Sequence, residues 1–329
     1  MASFARSWGD IHAVLAGSEF ASGRAQAPTF SGQGTKGRRL LIVYNPHAGR
    51  GRRKYLSAVL RALRGEGSRI RLRRTDCAGA AEVIARASGP DVDALVVAGG
   101  DGTINEAING LLNCEKSVAL PTLGLIPIGT TNVLARDLGL PRNAKALARL
   151  LAHGPVCDIY LGRSNGRFFA LMCGVGLDAR VVDRISLRLK RRLGKLAYVL
   201  HGLRELALHA PRRYRVLVDD SQMFEASSVV VARSRFYAGE FQLAPEACLH
   251  KSELQVCLFQ RDGRWSALLY ILGMATGLLT RTPGYRTLPA SKVLITGYDG
   301  DPVQLDGDSR GTLPLNIGLC ERPISVIAP

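Results

Sequence analysis

Residues Val96–Gly110 read VVAGGDGTINEAING. An apolar run, Ala94–Ala98, ends in Gly99-Gly100-Asp101-Gly102, and Ile104, Ala107, Ile108 and Leu111 then recur at the spacing of one helix face. Strand, glycine-rich loop and helix in that order are the unit of a parallel sheet. The loop falls at the carboxyl end of the strand, where open α/β sheets bind ligands. Gly99, Gly100 and Gly102 clear the loop of side chains, so backbone N–H groups can approach a ligand, and the positive end of the helix favours phosphate. Thr103-Ile104-Asn105-Glu106 fits a capping box, which accounts for Thr103 and Glu106 without any ligand. It does not account for three glycines around an aspartate. A carboxylate repels phosphate unless a cation or hydroxyl donor stands between them, so Asp101 points to a Mg²⁺-nucleotide.

Outward from this stretch the alternation continues. Leu40–Tyr44 is apolar and is followed by NPHAGRGR, Asn45–Arg52. Leu56, Val59, Leu60 and Leu63 share a helix face. Ile70 and Leu72 alternate with arginines as in a strand, and an alanine-rich helix runs to about Ala87. Leu123–Ile128 is a further strand, with a helix from about Asn132 to Leu138 that Gly139 and Pro141 stop. Two more loops therefore sit at strand ends, NPHAGRGR and the PIGTTN of Pro127–Asn132, which brings Gly129, Thr130 and Asn132. Alone, each is a turn or a helix cap. Together with the first they make a phosphate-binding set. Gly124–Thr130 reads GxxxxGT without the Walker lysine, no GxGxxG follows a strand, and HRD and DFG are absent, which sets aside P-loop, ordinary dinucleotide and protein-kinase sites.

After about residue 155 short β-like segments take over: Phe168–Met172, Tyr214–Val218, Ser228–Ala232, Leu254–Phe259, Val293–Thr296 and Ile324–Ala328. Asp-Gly turns begin at Asp262, Asp299 and Asp306, and helical stretches fall near Gly194–His209 and Trp265–Leu279. The reading is a flexible extension over 1–38, an α/β domain over 39–155 and a mainly β domain over 156–329. Trp265–Leu279 is shorter than the ~20 residues that span a bilayer and is expected to be a buried helix.

The formal net charge of +17 predicts attraction to a polyanion: nucleotide phosphate, nucleic acid or an anionic membrane. No aromatic-basic pattern for base stacking supports nucleic acid. Seven dispersed cysteines without a CxxC, and no HExxH, argue for reduced thiols in a cytosolic compartment and against a structural zinc site. Arg188, Lys190, Arg191, Arg192, Lys195, Arg212, Arg213 and Arg215 surround an apolar helix face of Leu196, Val199, Leu200 and Leu203. That pattern suits peripheral contact with an anionic membrane surface.

YNPHAGRGR, VVAGGDGTINEAINGL and LGLIPIGTTNVLARDLGLP, in that order, resemble the diacylglycerol kinase catalytic-domain family, closest to its soluble bacterial lipid kinases and related to sphingosine and ceramide kinases. CGVGLDARVV, GKLAYVLHGL, FQLAPEACL and VQLDGDSRGTLP extend the likeness from about residue 39 to the end. The resemblance implies a Rossmann-like parallel-sheet domain, then a β-sandwich, with the active-site cleft between them and the last residues packed back on the first domain. It implies transfer of the ATP γ-phosphate to a lipid hydroxyl at the inner face of the membrane. Diacylglycerol is the first expected acceptor, with ceramide or a sphingoid base as the alternative. Nucleotide contacts are implied at Asn45, Gly49, Arg50, Thr75, Gly99, Gly100, Asp101, Gly102, Thr103, Asn105, Glu106, Gly129, Thr130 and Asn132, with Asp101 meeting Mg²⁺ through Mg-ATP and Asp308 as general base. Asp306 is expected to shape the turn beside it.

Two departures stand out. Relatives can hold a Mg²⁺ on a Ser-Leu-Asp-Asp-Gly-Tyr-like turn in the second domain. Here the turn is Cys248-Leu249-His250-Lys251-Ser252-Glu253, and a lysine cannot replace an oxygen ligand, so that metal is expected to be absent. The family's Asp-Gly-Glu is Asp306-Gly307-Asp308 here. Because GGDGT also occurs in NAD kinases, a small-molecule kinase of that kind is a further alternative. A binding module without activity fits less well with the presence of Asp101, Asn132 and Asp308.

Overall fold

The computed structural model describes residues 37–49, 52–113, 120–177, 179–180 and 212–329. Arg50, residues 1–36 of the extension, and the Gly194–His209 stretch with the basic residues Arg188–Lys195 before it lie outside them. The chain divides into two compact units. One runs up to Thr130 and adds Leu138–Cys157 and Ser325–Pro329; the other comprises Thr131–Asp137 and Asp158–Ile324.

The first stretch of chain gives β1 (Arg39–Tyr44), α1 (Arg53–Gly65), β2 (Arg69–Arg74), α2 (Ala80–Arg86), β3 (Ala94–Gly99), α3 (Asp101–Leu112), β4 (Thr122–Pro127), α4 (Val133–Asp137), α5 (Ala144–His153) and β5 (Val156–Ile159). The β-rich part follows with β6 (Gly162–Ser164), β7 (Arg167–Phe169), β8 (Met172–Val175), β9 (Tyr214–Val218), β10 (Gln222–Ala226) and β11 (Ser228–Ala232). It continues through β12 (Phe236–Tyr237), β13 (Phe241–Gln242), β14 (Leu254–Phe259), α6 (Arg264–Thr276), β15 (Tyr285–Ala290) and β16 (Lys292–Thr296). β17 (Pro302–Leu305), β18 (Asp308–Thr312), β19 (Leu315–Leu319) and β20 (Ile324–Ile327) complete the chain.

The sheet of the first unit has the order β2-β1-β3-β4-β20-β5, with β1, β2, β3, β4 and β20 in parallel register where they pair. β3 is buried at every residue, as expected of a strand covered on both faces. α1, through Leu56, Val59, Leu60 and Leu63, and α5, through Leu147 and Leu151, pack with Leu40, Ile42, Val96 and Ala98. The alternate residues Leu41, Val43, Leu95 and Val97 face the other way and are buried too. β2, with its arginines, is the edge strand. The final strand returns to this sheet, Val326 beside Leu123 of β4.

The second unit is a sandwich of two six-stranded sheets, ordered β10-β9-β16-β19-β6-β7 and β15-β14-β11-β8-β17-β18. Its pairings are antiparallel, and one core joins Tyr214, Val216, Val218, Val293, Ile295, Leu315 and Ile317 of one sheet to Val229, Val231, Leu254, Val256, Leu258 and Val303 of the other. The period-two burial of β9, with Tyr214, Val216 and Val218 in and Arg215 out, is what fixes its register.

One expectation fails here. The apolar stretch Trp265–Leu279 is not a buried helix: α6 buries only Tyr270 and Gly273, and Trp265, Leu269 and Leu272 stand in solvent. Tyr270 stacks edge-on against Phe259 at 5.0 Å, and a Cβ on Gly273 would lie 3.1 Å from Leu279 Cα. These contacts occupy one narrow side of the helix, so uniform hydrophobicity did not translate into burial.

Candidate active site

Three loops at the carboxyl ends of β1, β3 and β4 interlock through their backbones. Asn45 N donates to Ala98 O at 3.0 Å, which ties the start of the first loop to β3. The Asn45 side chain then spans two loops: Nδ2 donates to Thr103 Oγ1 at 2.9 Å, and Oδ1 accepts from His47 N at 2.9 Å. Gly49 has φ of +55°, and a Cβ there would lie 1.8 Å from Ile128 O, so no side chain fits between the first and third loops. Arg52 Nη1 donates to Pro127 O at 3.0 Å across the same junction. Gly99 O accepts from Ile128 N and Gly129 N at 3.2 and 3.1 Å, and a Cβ on Gly100 would come within 3.2 Å of Gly129 Cα. The glycines thus let three backbones meet. Thr75 is buried beside them, its N–H donating to Tyr44 O at 2.9 Å.

The start of α3 differs from the capping box expected there. Gly100 is the N-cap and is extended, with φ −103° and ψ −178°, and the helix begins at Asp101, three residues earlier than that box would place it. Asp101 is therefore the first residue of the helix and not a loop residue, placed where a carboxylate interacts favourably with the helix dipole. Gly102 and Thr103 lie in the first turn. Thr103 Oγ1 accepts from Asn45, and Glu106 reaches out of its own helix to accept from Ala81 N at 3.3 Å, satisfying a free donor at the start of α2. Asn105 accepts from Asn109 Nδ2 through its carbonyl at 2.9 Å and its Oδ1 at 3.2 Å. Of the third-loop residues Pro127–Asn132, Thr130 is the exposed one.

Asn132 adopts the left-handed conformation, φ +50°, and its carbonyl accepts from Arg136 N at 3.1 Å as α4 begins. α4 belongs to the second unit. Asp137, with a buried carboxylate, accepts from Arg235 N and Nε at 3.1 and 3.0 Å; Arg136 Nη1 donates to Gly239 O and its guanidinium lies 4.9 Å from the Phe236 ring centre.

Asp308 opens β18 in a hairpin whose two turn residues, Asp306 and Gly307, have φ of +48° and +83°. It is half-buried and pairs with Leu305. Asp306 accepts three backbone N–H bonds from Ala170, Leu171 and Met172, at 2.8–3.0 Å, and its own N–H donates to Met172 O. Its carboxylate pins the turn to the chain before β8. Asp308 is thereby presented from an anchored hairpin.

The residues present do not fit the Mg²⁺ on the second-domain turn that the resemblance raises. Arg233, wholly buried, sends its guanidinium to the same turn: Nε to Tyr160 O at 2.8 Å, Nη1 to Glu253 O, and Nη2 to Cys248, Leu249 and Lys251 O at 3.1, 2.8 and 2.8 Å. Burial lowers its pKa to about 10, which leaves it charged at neutral pH. A cation is already bonded to the carbonyls of the turn, and it is covalent. The sequence reading did not single out Arg233. Its signal was an arginine directly after the fully apolar Val229–Ala232. Removing the guanidinium should strand several acceptors at ~1–3 kcal/mol each, so Arg233→Met is expected to lower stability by at least ~3 kcal/mol even after water reaches the outer carbonyls. A chelator should leave the melting temperature of the nucleotide-free wild type unchanged. Denaturant and thermal melts check both; a loss under ~1 kcal/mol would show that the turn does not depend on this residue.

Among the described residues no group of three or more His, Cys, Asp or Glu could hold a metal.

A parallel sheet ending in backbone-built loops is followed in the chain by an antiparallel sandwich. Residues 39–164 match the family described as diacylglycerol kinase catalytic domain, and residues 172–328 match the YegS C-terminal NAD kinase beta sandwich-like domain. The diacylglycerol kinase of Bacillus subtilis (strain 168) is 30% identical over 297 residues, covering 89% of this chain and 97% of that protein. That of Staphylococcus carnosus (strain TM300) is 29% identical over 297 residues, with 89% and 95% covered. A crystal structure of a diacylglycerol kinase from Bacillus anthracis str. Sterne superposes with a TM-score of 0.74 at 26% identity, covering 90% of this chain and 99% of that one. The chain belongs to the diacylglycerol kinase family and is a lipid kinase.

Proposed function

We propose that this lipid kinase transfers the γ-phosphate of ATP to the hydroxyl of a membrane lipid, with diacylglycerol the preferred acceptor and ceramide or a sphingoid base the alternative. Residues 39–155 bind the nucleotide and residues 156–329 receive the lipid. The observation that carries the donor half is the interlocked loop set, where Gly49, Gly99, Gly100 and Gly129 leave backbone where side chains would otherwise stand. Such a surface, with the N-terminus of α3 beside it, suits a polyphosphate.

Mg²⁺ bound with ATP would supply neutralisation of phosphate charge. Asp101 orients that complex. Gly100, Gly102, Thr103, Gly129, Thr130 and Asn132 supply donors around the phosphates, with Asn45, Gly49, Arg50 and Thr75 framing the nucleotide. Asn45 also holds Thr103 in place. Glu106 and Asn105 act on the loop through α2 and α3. Asp308 accepts the hydroxyl proton as the new O–P bond forms and ADP leaves.

The acceptor lies in a bilayer and ATP in the cytoplasm, so the protein works at the inner membrane face as a peripheral protein. No helix among the described residues is long and apolar enough to cross a membrane. Of the basic residues expected to face lipid, two described ones are committed to acids: Arg212 to Asp301, and Arg213 to Asp262 at 2.7 Å and Glu225 at 3.5 Å.

The test is an acceptor panel: diacylglycerol, ceramide and sphingosine in mixed micelles, and NAD in solution, each with Mg²⁺-ATP. The expected order of kcat/KM places diacylglycerol first. Phosphorylation of NAD alone would replace this reading with the NAD-kinase one, which the fold of the second-domain family otherwise only echoes.

A further inference from the structure

We infer that the outer face of α6 is a membrane-docking surface, built to insert shallowly into an anionic bilayer. Trp265, Leu269 and Leu272 recur at i, i+4 and i+7, so they share one side of the helix. Their exposures of 80%, 51% and 51% leave half or more of each side chain open to solvent, and Leu278, just beyond the helix, is 50% exposed. The buried positions Tyr270 and Gly273 already hold the helix to its own unit through Phe259 and Leu279, so the outer residues are not needed for folding.

Polarity is removed from this side as well. Between Trp265 and Leu279 there is no charged residue. Thr276 turns its hydroxyl back on the helix, Oγ1 donating to Leu272 O at 2.8 Å. Charge appears only at the two ends. Arg261 and Arg264 are exposed before and at the start of the helix, and Arg281 is exposed after it. Asp262, just before the helix, is paired with Arg213 at 2.7 Å. Arg286, exposed on β15, lies over the Phe224 ring at 5.0 Å. An apolar face with tryptophan at one end and arginines at both ends complements the headgroup and upper acyl layers of an anionic membrane. The 13 residues of α6 make ~20 Å of helix against a hydrocarbon core of ~30 Å, so the helix lies in the interface and does not cross.

The purpose given to this surface rests on the lipid-substrate reading above, but the experiment measures binding without turnover. Co-sedimentation of the full chain with vesicles of equimolar phosphatidylglycerol and phosphatidylcholine is compared with phosphatidylcholine alone. The double variant Trp265→Gln, Leu269→Gln should melt like the wild type and bind the anionic vesicles at least ~10-fold more weakly. With Trp8→Phe, Trp265 is the single indole of the two in the sequence, and its emission should shift to the blue on adding anionic vesicles. Equal vesicle binding by wild type and double variant, or equal binding of the wild type to both vesicle types, would overturn the proposal. So would a self-association of the wild type, seen by sedimentation velocity without lipid and lost in the variant, since the face would then belong to a second copy. Phosphorylation of a short-chain diacylglycerol dispersed as monomers should be the same in both proteins. If neither phosphorylates any lipid while the wild type alone binds vesicles, the substrate reading fails and the docking face stands.

Discussion

Asp308→Asn is expected to bind ATP normally and to lose phosphoryl transfer by ~10²–10⁴-fold, the usual cost of removing a general base. The amide keeps the shape of the carboxylate but cannot take the proton. The hairpin should survive, because its anchor is a different residue: the carboxylate of Asp306 collects the N–H groups of Ala170, Leu171 and Met172. Asp306→Asn should therefore act mainly on stability, since each hydrogen bond to a charged group is worth ~1.5–3 kcal/mol. Asp308→Glu should retain more activity than Asp308→Asn, because the added methylene changes reach and not chemistry. Isothermal titration with a non-hydrolysable ATP analogue and a steady-state assay separate binding from turnover. A nearly wild-type Asp308→Asn with a folded but inactive Asp306→Asn would reverse the two roles.

Asp101→Ala is expected to abolish turnover at saturating Mg²⁺ and ATP. Its carboxylate opens α3 beside the loop junction and is proposed to meet the nucleotide through Mg²⁺, an interaction worth several kcal/mol of charge stabilisation. The fold should lose little. The helix gives up one favourable first-turn acid, ~0.3–1 kcal/mol, while its apolar face of Ile104, Ala107, Ile108 and Leu111 is untouched. Near-normal activity in this variant, with a melting curve close to wild type, would remove Asp101 from the site.

Much of the first unit was legible because its elements obey local rules. The runs at Leu40–Tyr44 and Ala94–Ala98, and the helix face from Leu56 to Leu63, follow strand and helix periods and became β1, β3 and α1. The glycines were legible as close approaches of backbone, though not which backbone each would meet; Gly49 against Ile128 joins residues far apart in the chain. Thr103 and Glu106 were misread as a capping box because the motif is local, while their partners, Asn45 and Ala81, come from other elements. α6 was misread for the opposite reason. Apolar composition says that a helix avoids water, not that a protein core is what it finds. Arg233 was not singled out, since nothing near it in sequence shows that its guanidinium gathers carbonyls from residues 248 to 253.

The most direct measurement of the central claim follows labelled γ-phosphate from ATP. Wild-type protein is incubated with Mg²⁺, γ-labelled ATP and diacylglycerol in mixed micelles, and labelled lipid and ADP are quantified together. The account predicts one labelled phosphatidic acid for each ADP released, with neither formed in quantity by Asp308→Asn. ADP release without labelled lipid, or label passing to added NAD in place of diacylglycerol, would contradict it.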